Sequence, residues 1–189
     1  MNESAEALDK EAIKPKALFH AYTSRNLEIL KPKAESVRDS DEGPVVFATP
    51  DKALASIFLV PTDDTWTRSG LFGDIHYFIC SDREKFEIFD KGGAIYSLPT
   101  ETFENDLNKG LGKKEWTSKK QVVPIEKEIY QSGLEAMLEM GVQVFFVGKE
   151  TFEKVKESED FGNSIIRNLD SENEKRGISA IRIPSIHDH

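Results

Sequence analysis

The chain has 189 residues, enough for one domain with a sizeable core, and a formal net charge of −9 that sets its surface against unmodified nucleic acid. Its single cysteine, Cys80, excludes an internal disulfide and a thiolate-rich metal site, and fits a reducing cytoplasm. No apolar run reaches membrane-spanning length, and the first residues lack the apolar core of a signal peptide.

Residues 1–16 alternate acids, lysines and alanines up to Lys14-Pro15-Lys16, which reads as a fraying arm before the fold. Leu18 to Thr23 predicts a strand, and Asn26 to Leu30 a short turn of helix or an extended piece stopped before Pro32. A polar loop from Ser36 to Pro44 carries Arg38, Asp39, Asp41 and Glu42, and a loop of this kind beside a strand often holds ligand contacts. Val45 to Ala48 predicts a second strand. It runs into a helix that Thr49 caps, with Pro50 at its first position and Leu54, Ile57 and Phe58 on one face. Ile75–Cys80, Phe86–Phe89 and Ala94–Leu98 read as strands, giving a mostly β middle. Glu115 to Val123 predicts another strand, and the spacing from Ile125 to Met140 a helix that Gly141 stops. Val142 to Val147 is a buried strand, Lys149 to Ser158 an amphipathic helix, and Ile165, Ile166 and Leu169 a further helical turn. Ile178 to Pro184 predicts a last edge strand, and residues 185–189 a frayed end.

Three short motifs stand in order along this chain. Leu18-Phe19-His20-Ala21 is an apolar strand ending in a histidine, Val46-Phe47-Ala48-Thr49 is an apolar strand leading straight into a helix, and Glu115-Trp116-Thr117-Ser118 opens a strand with a glutamate. They resemble the motifs of the ADP-ribosyltransferase family, in the layout of the rifampicin ADP-ribosyltransferases and poly(ADP-ribose) polymerases. The resemblance implies an α+β domain over residues 17–184, with a mixed, mostly antiparallel two-sheet core and peripheral helices. It also implies NAD⁺ as co-substrate, whose ADP-ribose passes to a protein or small-molecule acceptor, or to water. In that reading His20 holds a ribose hydroxyl, the Ala21 backbone the carboxamide, and Phe47 stacks on nicotinamide. Tyr22 and Arg25 reach the rest of the dinucleotide, and Glu115 is the catalytic carboxylate. The chemistry asks for such a set, because cleavage of the ribose–nicotinamide bond builds positive charge on the sugar that a carboxylate can stabilise.

The family pattern has glycine where Ala21 stands and tyrosine where Phe47 stands, and Val46 is the other position that could align. Glu101, Glu104 and Asp106 are the other acids that could take the catalytic place. Each residue also has a plain structural reading: His20 as a satisfied strand histidine, Phe47 as core, Glu115 as a solvated edge charge. The alternatives are therefore a non-catalytic nucleotide- or protein-binding domain on the same fold and, third, an RNA 2′-phosphotransferase, which the acidic balance opposes. Gly110-Leu111-Gly112-Lys113-Lys114 lacks the spacing of a phosphate-binding loop. His187-Asp188-His189 has no third ligand or supporting shell, so no metal is expected.

Overall fold

The computed structural model describes residues 13–175 and 183–184. Nine strands appear in it: β1 (Leu18–Tyr22), β2 (Val46–Ala48), β3 (Thr67–Phe72), β4 (Ile75–Cys80), β5 (Gly93–Leu98), β6 (Trp116–Ser118), β7 (Glu126–Tyr130), β8 (Gln143–Phe146) and β9 (Ile183–Pro184). The helices are α1 (Lys52–Ile57), α2 (Arg83–Phe89), α3 (Gly133–Glu139), α4 (Lys149–Glu157) and α5 (Asn163–Lys175). The fold is mixed α+β with mostly antiparallel pairing, as expected, but it has three sheets rather than two, ordered β1-β5-β7, β2-β6 and β3-β4-β8-β9.

The chain forms two compact units, one from Met1–Ala55 and Ala94–Glu128, the other from Ser56–Gly93 and Ile129–His189. The chain passes between them inside α1, at the start of β5 and inside β7. In the first unit β1 pairs antiparallel with β5, so that His20 faces Tyr96, and β2 pairs antiparallel with β6, so that Phe47 faces Thr117. Backbone bonds between Phe19 and Thr49, in both directions, join the two sheets, and a second bridge ties Glu104 to Thr117. Strand alternation puts Leu18, Val46, Ala48, Tyr96, Leu98 and Trp116 on one buried face, where Phe103 and Val122 complete the core.

The second unit buries its sheet on both sides. β4 is antiparallel to β3 and parallel to β8, and β8 is parallel to β9. Parallel pairing needs long crossovers that lay helices over the sheet, and the parallel pair β4 and β8 is correspondingly apolar and buried along most of its length. Tyr77, Ile79 and Phe145 pack under Phe152 and Val155 of α4 and Ile166 of α5. Phe78 and Phe146 alternate to the other face, where Phe86 of α2 meets both rings edge-on at 5.9 and 5.1 Å. Gly70 has no Cβ because the Tyr77 ring lies over it, and the Tyr77 hydroxyl donates to the Phe161 carbonyl at 2.6 Å.

Several expected elements differ. Residues 86–89 belong to a helix: the Asp82 carboxylate accepts from the Lys85 N–H and caps it, so Phe86 points inward while Ile88 stays exposed. The helix expected over Ile125–Met140 is strand β7 followed by α3, which Ser132 caps by accepting from the Glu135 N–H. Asp51 rather than Thr49 caps α1, accepting from the Leu54 N–H, while the Thr49 hydroxyl accepts from the Asp51 N–H. The strand expected from Glu115 to Val123 narrows to Trp116–Ser118, and β3 was not expected. Of the last strand expected, Ile183–Pro184 is β9; its earlier part, most of the N-terminal arm and the His187-Asp188-His189 end lie outside the described residues.

Candidate functional site

On β1, the two-residue period sends Leu18, His20 and Tyr22 to one face and Phe19 and Ala21 to the other. His20 is therefore on the core face. Its Nδ1 lies 2.7 Å from the Phe47 carbonyl oxygen, which can only accept, so Nδ1 carries the proton and the neutral ring leaves Nε2 as an acceptor. Burial draws the imidazole pKa below its ordinary value of 6.5; the Phe47 carbonyl opposes this and the Lys33 charge adds to it. Tyr22 stacks beside His20 with ring centroids 6.2 Å apart, and the Lys33 ammonium donates to the Tyr22 hydroxyl at 3.0 Å. His20, Tyr22, Leu27, Leu30, Lys33 and Val46 line a cavity of about 80 Å³. Small-molecule sites run from about 300 to 1,000 Å³, so nicotinamide with its ribose does not fit here.

The other predicted residues lie elsewhere. Phe47 offers His20 its carbonyl and not its ring, since Val46 and Ala48 take the core face of β2 and the Phe47 side chain takes the opposite one. Ala21 is buried on the far face of β1, and Arg25 follows in the turn, where its carbonyl accepts from Lys127 Nζ at 2.6 Å. Glu115 shares the alternation of Thr117, away from Trp116 and the core. The structure therefore joins His20 with Tyr22, and sets Glu115 outside the His20 cavity, at the start of β6 in the β2-β6 sheet.

Glu115 instead belongs to an ion network that the sequence showed only in part. Arg38 grips Glu42 through Nε and Nη2 at 3.0 and 2.7 Å and donates to Glu115 through Nη1 at 2.9 Å. The Thr117 hydroxyl donates to the same Glu42 at 3.1 Å. These side chains are 10 % (Arg38), 12 % (Glu42) and 17 % (Glu115) exposed, so the charges are largely shielded from water and strengthen one another. Burial would raise the Glu42 pKa, but the Arg38 and Thr117 bonds and the Arg38 charge carry it below its ordinary value of 4.5. Burial likewise opposes the charged Arg38, and the two carboxylates overcome it. Glycine is required at position 110, with φ at 52° and a Cβ that would collide with the Glu115 carboxylate. Asn105 braces the strand start by donating through Nδ2 to the carbonyls of Gly112 and Glu115 at 2.8 and 2.7 Å.

This network floors an open cleft of about 770 Å³ in the first unit, within the range of ligand sites. Arg38, Lys119 and Lys120 line it, and so do Glu42, Glu104 and Asp106, two of which are the alternative acids considered for catalysis. The loop from Ser36 to Pro44 contributes Arg38 and Glu42 to the cleft lining. The chain matches no family model, no curated protein and no solved structure.

The other reactive groups offer less. Burial pushes the Cys80 thiol up to about 11, and it donates to the Asp82 carbonyl, so it is no nucleophile at neutral pH. Among the described residues no cluster of histidine, cysteine, aspartate and glutamate could hold a metal ion, and no helix is long and apolar enough to cross a membrane.

Proposed function

We propose that the first unit is a non-catalytic binding module whose ligand occupies the Arg38–Thr117 cleft. One observation carries this reading: Glu115, the carboxylate best placed in sequence for catalysis, pairs with Arg38 and does not line the His20 cavity. A general base or cation-stabilising carboxylate must face the reacting atoms, whereas Glu115 lies outside that cavity and its Oε1 is turned to Arg38. The Arg38–Glu42 fork holds the cleft floor rigid, which lowers the ordering cost of binding. Two measurements on the full chain test the reading. Trp116 neighbours the cleft-lining Thr117 on β6 with its own ring on the core face, so in a Trp66→Phe background its fluorescence reports on the strand that walls the cleft and should shift when the cleft is occupied. In parallel, incubation with NAD⁺ should release no nicotinamide. Nicotinamide release that disappears in Glu115→Gln, with the fold intact, would overturn the binding module in favour of ADP-ribose transfer.

A further inference from the structure

The charge pattern of the cleft narrows the ligand, granted that the cleft is a binding site. Its carboxylates, Glu104 and Asp106, come from the loop between β5 and β6, while its unpaired cations, Lys119 and Lys120, follow β6. Lys119 and Lys120 have no ion-pair partner among the described residues, and neither does Glu104. On a chain of net charge −9, the cleft lining balances three cations, Arg38, Lys119 and Lys120, against three acids, Glu42, Glu104 and Asp106. A nucleotide fits this poorly. Its phosphates would face three carboxylates, and no aromatic side chain lines the cleft to stack on a base. A polycation would meet the two lysines. Leu107, 37 % exposed, supplies an apolar contact. A ligand carrying a basic group, an acidic group and an apolar group between them satisfies all of these together.

We infer that the cleft takes a short, net-neutral peptide segment, with a basic side chain directed to Glu104 and Asp106 and an acidic one to Lys119 and Lys120. An apolar side chain between the charges of such a segment meets Leu107.

The test is titration of the full chain, with Trp116 fluorescence and calorimetry, against three blocked tripeptides: Lys-Leu-Glu, Glu-Leu-Glu and Lys-Leu-Lys. The neutral peptide should bind about tenfold tighter than either charged one, which loses one exposed ion pair and gains a like-charge contact of similar size. Reversing one wall with Glu104→Lys and Asp106→Lys should move the preference to Glu-Leu-Glu, and Lys119→Glu with Lys120→Glu to Lys-Leu-Lys. Equal binding of all three, preference for Lys-Leu-Lys by the unaltered chain, or preferences that the wall reversals leave unmoved would overturn the inference. An NAD⁺ arm separates the two claims. Binding of NAD⁺ without turnover, with no peptide bound, would end the peptide inference and keep the binding module; no binding of any probe would end both.

Discussion

The two units solve the same problem with opposite use of charge. In the second, a sheet with parallel pairing is covered on both faces by Phe152, Val155 and Ile166 on one side and Phe86 on the other. In the first, antiparallel pairing lets one face carry the core while the other carries Arg38, Glu42 and Glu115. The covered pair β4 and β8 carries no carboxylate, lysine or arginine, and the candidate site lies beside the sheet of the first unit that is only half covered. Stability in the second unit thus rests on packing, and in the first it rests partly on pairing charges.

Each unit holds one of the chain's two tryptophans, buried Trp66 in the second and buried Trp116 in the first, so single-tryptophan variants can follow them separately. The largest effect should come from Phe152→Ala, which empties a fully buried ring position and should cost about 3–5 kcal/mol in urea unfolding followed at Trp66. Next, Arg38→Met should cost about 2 kcal/mol at pH 7 followed at Trp116, because it strands two shielded carboxylates; slight exposure keeps this below the fully buried case. If Arg38→Met were neutral and Phe152→Ala severe, the charges of the first unit would be ornament and the contrast between the units would fail. Gly110→Ala should cost about 1–2 kcal/mol, through its positive φ and the collision with Glu115, and should be seen at Trp116.

The smallest effects are in pH dependence, and they fall in two windows. His20 titrates below 6.5 in the folded chain, so between the folded and unfolded pKa values the unfolded state binds more protons. Stability should therefore fall as pH drops from about 6.5 toward the folded value, and His20→Gln should flatten this limb. Glu42 is also held below its ordinary value of 4.5, so its contribution is present above that pH and is lost as pH falls through the folded pKa. Arg38→Met should remove that second, more acidic limb while leaving the first, and a single limb removed by either variant would merge the two sites.

How much of this was legible follows from how local each signal is. Val45 to Ala48, the β8 run and α4 could be read because their apolar period and boundaries sit within one stretch of chain. Residues 86–89 misled because Phe86, Ile88 and Phe89 satisfy a two-residue count, whereas the deciding signal was the Asp82 cap. Ile125 and Ile129 have helical spacing, yet the exposed Glu126, Lys127 and Glu128 between them belong to a strand, and the Ser132 cap marks where the helix begins. β3 escaped notice because Arg68, Ser69 and Gly70 carry almost no apolar signal and the strand depends on β4. At the site, Arg38 and Glu42 stand four residues apart and their loop drew attention, but the Arg38 bond to Glu115 spans 77 residues of chain. No local pattern encodes such a partner. The face on which Glu115 falls depends on single-residue register, since one step along β6 exchanges Thr117 for Trp116.

The interleaving of the two units has a consequence for synthesis. When the ribosome has finished Ala55, the first unit still lacks β5, β6 and most of β7, so Leu18 and Val46 have no complete core to join. The 38 residues from Ser56 to Gly93 then emerge, taking about 2–8 s at common elongation rates, and they in turn wait for Ile129 onward. Two unfinished halves coexist on the nascent chain, and neither can close until a later stretch arrives.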